Sequence, residues 1–161
     1  MKRNIMNRNV ASTALVTVFA ATLVLSVTAT AQAACSLARA AGTYGFSDSG
    51  TIVGVGPRVA AGIFTLDTAG NLLNGKATSS LNGTIAEETF SGTYTVNSDC
   101  TGTFNNIELR DLSGNLLLTI TANLAWDDNM KQLRAIFTSA KLPDATSLLI
   151  VISAEAKKMV P

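Results

Sequence analysis

The chain has 161 residues, of which 47% are hydrophobic and 14% charged, with 12 basic residues, 11 acidic residues and no histidine. Its formal net charge of +1 excludes the strongly basic surface with which proteins bind nucleic acid. The missing histidine excludes catalytic triads built on that residue and removes the commonest transition-metal ligand.

The first 33 residues have the pattern of an export signal. Basic residues at positions 2, 3 and 8 precede an apolar run from Val10 to Val27, and the small residues Ala-Gln-Ala follow at 31–33. We therefore expect cleavage after Ala33 and a secreted or periplasmic protein.

Two alternatives for this segment stay open. The apolar run is about long enough to span a membrane as an anchor. Cys35 could instead be lipidated after cleavage just before it, although Gln32 stands where such a motif has an aliphatic residue.

Residues 34–161 would form the mature protein, whose 128 residues suit a single domain. Loss of three basic residues leaves nine against eleven acidic ones, a net charge of −2. We expect no nucleic-acid partner and, once the signal is removed, no membrane contact. The oligomeric state cannot be predicted.

Cys35 and Cys100 are the two cysteines of the chain. An even count in an exported protein predicts one disulfide, which would tie the mature N-terminus to a hairpin end. Two buried free thiols are the alternative.

Strand patterns dominate from Gly42 onward, with Thr, Val, Ile and aromatic residues between Gly, Asn and Asp. Before them, residues 36–41 are too few for a stable helix but could form one helical turn that plugs an end of the fold. The apolar residues at 104–109 shift from an even position, Phe104, to odd positions, Ile107 and Leu109, which predicts a bulge at Asn105-Asn106. The predicted strands are Gly42–Ile52, Arg58–Asp67, Leu72–Ser80, Gly83–Val96, Gly102–Asp111, Asn115–Trp126, Gln132–Ser139 and Leu148–Ala156.

Short turns separate these strands. The same phrase occurs twice, as DTAGNL at 67–72 and DLSGNL at 111–116, and its Gly and Asn suit the positive φ of tight hairpins. Asp127-Asp128-Asn129 marks a third hairpin, and we expect no metal there because three consecutive residues cannot all point at one ion.

Eight strands joined mainly by short loops predict an all-β fold, an eight-stranded antiparallel up-and-down barrel. A two-sheet β-sandwich is the alternative. Alternation within the strands predicts which side chains point inward, namely Phe64, Phe90, Tyr94, Leu118, Ile120 and Leu124.

Several segments resemble a group of secreted bacterial proteins that have no established activity. These are a cysteine shortly before GTYGF at 42–46, the phrase at 67–72, GTYTV at 92–96 and DCTGT at 99–103. More distantly, the glycine and aromatic of the first strand look like the opening of calycin barrels, the lipocalins and avidins, although these usually have tryptophan where Tyr44 stands. This resemblance implies a ligand-binding barrel.

The candidate ligand-binding residues are inward or near a barrel mouth: Tyr44, Phe64, Glu88, Tyr94 and Trp126. Glu88 shares the face of Phe90, which would bury its carboxylate and raise its pKa. We favour the interpretation that the apolar face begins at Phe90 and leaves Glu88 in solvent. Arg134 poses the same question, and we expect it to point outward.

We expect a non-enzymatic barrel without a cofactor that binds a small, apolar molecule. The alternative is a structural or interaction protein of the cell envelope with a filled barrel. An enzyme on a barrel of the allene oxide cyclase kind would need convergent buried polar groups, and the sequence shows few of these.

Overall fold

The fold is known from a computed structural model, which describes residues 34–127 and 129–159. The expected export signal at 1–33 and its cleavage site lie outside the described residues. One short helix, α1 (Leu37–Ala40), precedes the strands. The strands are β1 (Gly42–Ile52), β2 (Gly56–Leu66), β3 (Asn71–Leu81), β4 (Thr84–Val96), β5 (Thr101–Asp111), β6 (Leu116–Trp126), β7 (Gln132–Lys141), β8 (Ser147–Leu148) and β9 (Ile150–Lys158).

The strands form a closed antiparallel barrel. Strands β1 to β7 each pair with the next in sequence, and β9 closes the sheet by pairing with both β7 and β1. The two-residue β8 adds only to the end of β7. The predicted up-and-down barrel is therefore confirmed, with eight long strands, and the sandwich alternative is excluded.

Alternation of side chains explains the interior. In β6, Ile120, Ala122, Leu124 and Trp126 are buried, whereas the residues between them point outward. All six side chains predicted to point inward belong to the core or pack against it. The side chain of Arg134 is 78% exposed and faces Glu155 on the outer wall, as expected.

The glycines of the repeated turn phrase have the expected positive φ, but its asparagines, Asn71 and Asn115, do not and act through hydrogen bonds instead. In both copies of the repeated phrase the side chain of the leading aspartate accepts a hydrogen bond from the backbone N–H of the asparagine four residues later. The distance is 2.8 Å for Asp67 and 2.9 Å for Asp111. The glycines there have φ of 89° and 86°. Side-chain hydrogen bonds from the same asparagines lower the pKa of both aspartates. The repeat therefore encodes one turn used twice.

The predicted bulge in β5 is also present. The pairing of β5 with β6 shifts between Phe104 and Ile107, and Asn106 has a φ of 48°. The extra residue returns the apolar side chains to the interior, so Phe104 and Ile107 are both buried. Among the described residues no helix has the length and hydropathy needed to cross a membrane.

Candidate functional site: a plugged barrel with a buried charge cluster

One end of the barrel is closed by α1. The Tyr44 hydroxyl donates to the Ala40 carbonyl at 2.7 Å, and the Tyr94 hydroxyl donates to the Leu37 and Asp67 carbonyls at 3.3 and 2.6 Å. Burial is the main cause that raises the pKa of each tyrosine to about 12. The tyrosines therefore anchor the helix in their neutral forms.

A disulfide fixes the same plug. Cys35 is bonded to Cys100, which closes a loop across 65 positions of the sequence and leaves no free cysteine among the described residues. The predicted bridge is thus confirmed. Its place at the turn between β4 and β5 explains why a cysteine stands there: it holds the chain before α1 against the barrel end.

Above the plug lies a cavity of about 70 Å³, measured as the volume within which the centre of a water molecule can move. One water needs on the order of 10–15 Å³ by this measure, so the cavity has room for several waters. Its apolar walls combine phenylalanines with small residues that leave the space between them: Phe46, Phe64, Phe90, Phe104, Phe137, Ala77, Ala122, Ala135, Ala154 and Ala156.

A charged cluster lies in the wall of this cavity. The guanidinium of Arg58 donates to both carboxylate oxygens of Glu88, at 3.1 and 2.8 Å. The Ser79 hydroxyl donates to one of the same oxygens at 2.8 Å. Glu88 is only 6% exposed. The favoured interpretation of Glu88 as a solvated residue was therefore wrong, because partners on β2 and β3 satisfy its carboxylate inside the barrel.

Asp48 is a second buried carboxylate of the cluster, and it is poorly satisfied. Its Oδ1 lies 3.7 Å from Nε of Arg58 and has no hydrogen-bond partner, although the side chain is only 4% exposed. Burial raises the pKa of Asp48, the positive charge of Arg58 opposes that rise and the negative charge of Glu88 adds to it. The cavity wall thus holds two carboxylates and one guanidinium.

The five predicted ligand-binding residues are all buried, but they lie at two levels of the barrel. Phe64 and Glu88 line the cavity. Tyr44, Tyr94 and Trp126 are not in its wall: Tyr44 stacks on Phe64 with ring centroids 5.4 Å apart, and Tyr94 contacts Trp126 at 6.5 Å. These three pack at the plugged end.

Sequence reasoning missed Arg58 and Asp48. A signal was present, since Asp48 shares its face of β1 with Tyr44 and Phe46, and Arg58 shares its face of β2 with Phe64. Two charges of opposite sign on apolar faces of neighbouring strands indicate a buried pair. Within residues 34–127 and 129–159, no group of three carboxylate or cysteine residues could hold a metal ion.

The end opposite the plug is rimmed by exposed aliphatic side chains. The turn between β1 and β2 exposes Val53 and Val55, and the turn between β5 and β6 exposes Leu112. The connection after β7 exposes Leu142 and Leu149. The connections at this end also expose polar residues, among them Asn82, Ser113 and Asp144. The unplugged end therefore presents aliphatic and polar side chains together.

Comparison with known proteins identifies no family for this chain. No family model and no curated protein matches it. A solved structure to which it is similar is a de novo designed fluorescence-activating β-barrel, with 15% sequence identity and a TM-score of 0.41 over 74% of this chain and 93% of the designed one.

Proposed function

We propose that this protein is an exported, non-enzymatic barrel that binds a small, apolar molecule in its interior. The observation that carries the proposal is the cavity itself, whose walls are formed mainly by phenylalanine, alanine and aliphatic side chains. A barrel of eight strands has an interior that side chains either fill or leave open for one small ligand. Here the alanines leave it partly open.

The plug and the rim support this function in different ways. Two tyrosine hydrogen bonds, from Tyr44 to Ala40 and from Tyr94 to Leu37, and one disulfide hold α1 across one end. A ligand would therefore reach the cavity from the opposite end, where several of the exposed residues are aliphatic. The disulfide is compatible with an oxidising, exported compartment.

The alternative role as an envelope interaction protein requires only a filled barrel and an outer surface. We prefer binding because a space remains between the phenylalanine and alanine side chains of the interior. An enzymatic role lacks support, since the polar groups of the cavity already pair with one another, except for Asp48.

Binding can be tested with benzene and toluene, since small apolar cavities in proteins accept such molecules. We expect saturable chemical-shift changes by NMR, with one site per chain, at amides of strands β1, β4 and β7. The substitution Ala154→Leu adds bulk to the cavity wall and should weaken binding at least tenfold.

The matched control is Ala61→Leu, which adds the same bulk to an exposed position on the outer wall. This variant should bind toluene like the unmodified protein. Absence of saturable binding, or equal weakening by both substitutions, would overturn the proposal in favour of a structural role. If instead toluene binds and only Ala154→Leu weakens it, native mass spectrometry of protein purified from its own host would identify the physiological ligand.

A further inference from the structure

The charge of the buried cluster is unbalanced. Arg58 carries one positive charge, while Asp48 and Glu88 can carry two negative charges, and all three residues line the cavity. Each of them is 6% exposed, so solvent does little to offset the excess. A buried charge is stable only when it is paired and hydrogen-bonded.

The two carboxylates of the cluster have different numbers of hydrogen-bond partners. Glu88 accepts hydrogen bonds from two nitrogens of Arg58 and from Ser79. Asp48 has a backbone hydrogen bond from Ala60 and the distant Nε of Arg58, but its Oδ1 accepts no hydrogen bond. The acceptor that lacks a partner in the cluster is therefore Oδ1 of Asp48, in the wall of a mainly apolar cavity.

Resting on the proposed function, we propose that the natural ligand is an apolar amine, whose hydrocarbon body fills the cavity and whose ammonium group binds the carboxylate of Asp48. An ammonium supplies the positive charge and the hydrogen-bond donors that Asp48 lacks. A ligand carboxylate fits the site poorly, because Arg58 is already engaged by Glu88 and the newcomer would face two like charges.

A neutral alcohol would satisfy only half of the requirement. Its hydroxyl can donate one hydrogen bond to Oδ1 of Asp48, but it leaves the charge excess in place. The chemistry of the cluster therefore ranks three ligands of equal body: the amine binds more tightly than the alcohol, and the alcohol more tightly than the hydrocarbon.

The test uses benzylamine, benzyl alcohol and toluene, which share one aromatic ring and differ in the end group. Dissociation constants are measured by NMR titration at neutral pH on the unmodified protein. We expect benzylamine to bind at least tenfold more tightly than benzyl alcohol. This comparison needs no variant, so it does not depend on how a substituted protein folds.

The substitution Asp48→Asn assigns the preference to its residue. The amide keeps the shape of the carboxylate and removes its charge, so benzylamine should lose its advantage over benzyl alcohol. Glu155→Gln is the matched control, since it removes one carboxylate from the exposed outer wall. This control should keep the preference for benzylamine.

The outcomes separate the two proposals. If toluene binds but benzylamine gains nothing, or if Asp48→Asn keeps the preference, the assignment to Asp48 is overturned and the binding function stands. If none of the three ligands binds in the cavity, the proposed function fails and the amine inference fails with it.

Discussion

Arg58 and Glu88 pair across the barrel interior through two hydrogen bonds, although they lie 30 positions apart in the sequence and on strands that are not neighbours. The pair thus links β2 to β4 over the intervening β3, whose Ser79 joins the same carboxylate. Side-chain bonds of this kind depend on the registers of β2, β3 and β4 and add to the backbone pairing of the sheet.

The first prediction concerns this pair. Replacing Glu88 with Gln should lower the free energy of unfolding by about 1.5–3 kcal/mol, because it weakens the charge-assisted hydrogen bonds from Arg58 while Asp48 remains as a counter-charge. Urea unfolding at neutral pH measures the loss. The control Glu87→Gln alters the exposed neighbour, whose contact with Thr78 lies at the surface, and should cost less than about 1 kcal/mol. Equal losses for the two variants would contradict a structural role for the buried pair.

The second prediction concerns Asp48 and pH. Its folded-state pKa is raised above that of the unfolded chain, so the neutral form is favoured by folding. Neutral Asp48 therefore stabilises the folded protein, relative to its ionised form, at pH values below the pKa of the unfolded chain. This stabilisation is lost as pH rises through the folded-state pKa of Asp48. Asp48→Asn should therefore be more stable than the unmodified protein at neutral pH, and this advantage should shrink as pH falls toward 4. A variant that is less stable at neutral pH would show that the carboxylate makes favourable contacts.

The barrel was predictable because its determinants are local in sequence. Alternating residues in β4 and β6 identify the buried face, and the repeated turn phrase identifies the hairpins between strands. The bulge at Asn105-Asn106 was visible as a shift in apolar phase. Each of these patterns can be seen within about a dozen residues.

The site was less predictable because it depends on distant residues. Alternation predicts which face a side chain occupies but not its level along the barrel, so Tyr94 was correctly predicted to point inward without being separated from the cavity. The burial of Glu88 depends on Arg58, which comes near it only through the pairing of β2, β3 and β4. The face that Glu88 shares with Phe90 was a local signal, but a charged residue is ordinarily solvated unless a partner satisfies it, and that partner is distant in sequence.

The third prediction tests the apolar face of β6. Ile120 is buried in the cavity wall, and Ile120→Ala should cost roughly 2–5 kcal/mol of unfolding free energy through lost packing. Thr121 is the next residue and points to the outer wall, where it contacts Thr138. Thr121→Ala should therefore change stability by less than about 1 kcal/mol. A loss below about 0.5 kcal/mol for Ile120→Ala would contradict its inward orientation.

The fourth prediction concerns the disulfide. Replacing both Cys35 and Cys100 with Ser removes a link across 65 positions, which the chain-entropy model values at about 4 kcal/mol. Urea unfolding of the double variant should show a loss of this order. The unreduced, denatured parent protein should titrate with almost no free thiol. Two free thiols per chain, or equal stability of parent and variant, would contradict a stabilising bridge.

The last prediction concerns the plug at high pH. Tyr44 and Tyr94 have pKa values raised to about 12 from the ordinary 10, mainly by burial, so folding favours their neutral hydroxyls. Their contribution to stability is fully present below pH 10 and is lost as pH rises from about 10 to 12. Ionisation would also remove the protons that both side chains donate to carbonyls of α1. We expect the unfolding free energy to fall over this range, together with faster amide hydrogen exchange in α1.

Tyr94→Phe separates this effect from general alkaline denaturation. The variant loses the hydrogen bonds to Leu37 and Asp67, so it should be about 1 kcal/mol less stable at neutral pH. Because it has one fewer buried hydroxyl to ionise, its stability should fall less steeply between pH 10 and 12. Parallel stability profiles for the variant and the parent would show that alkaline unfolding starts elsewhere, and the tyrosine anchors would then not govern opening of the plugged end.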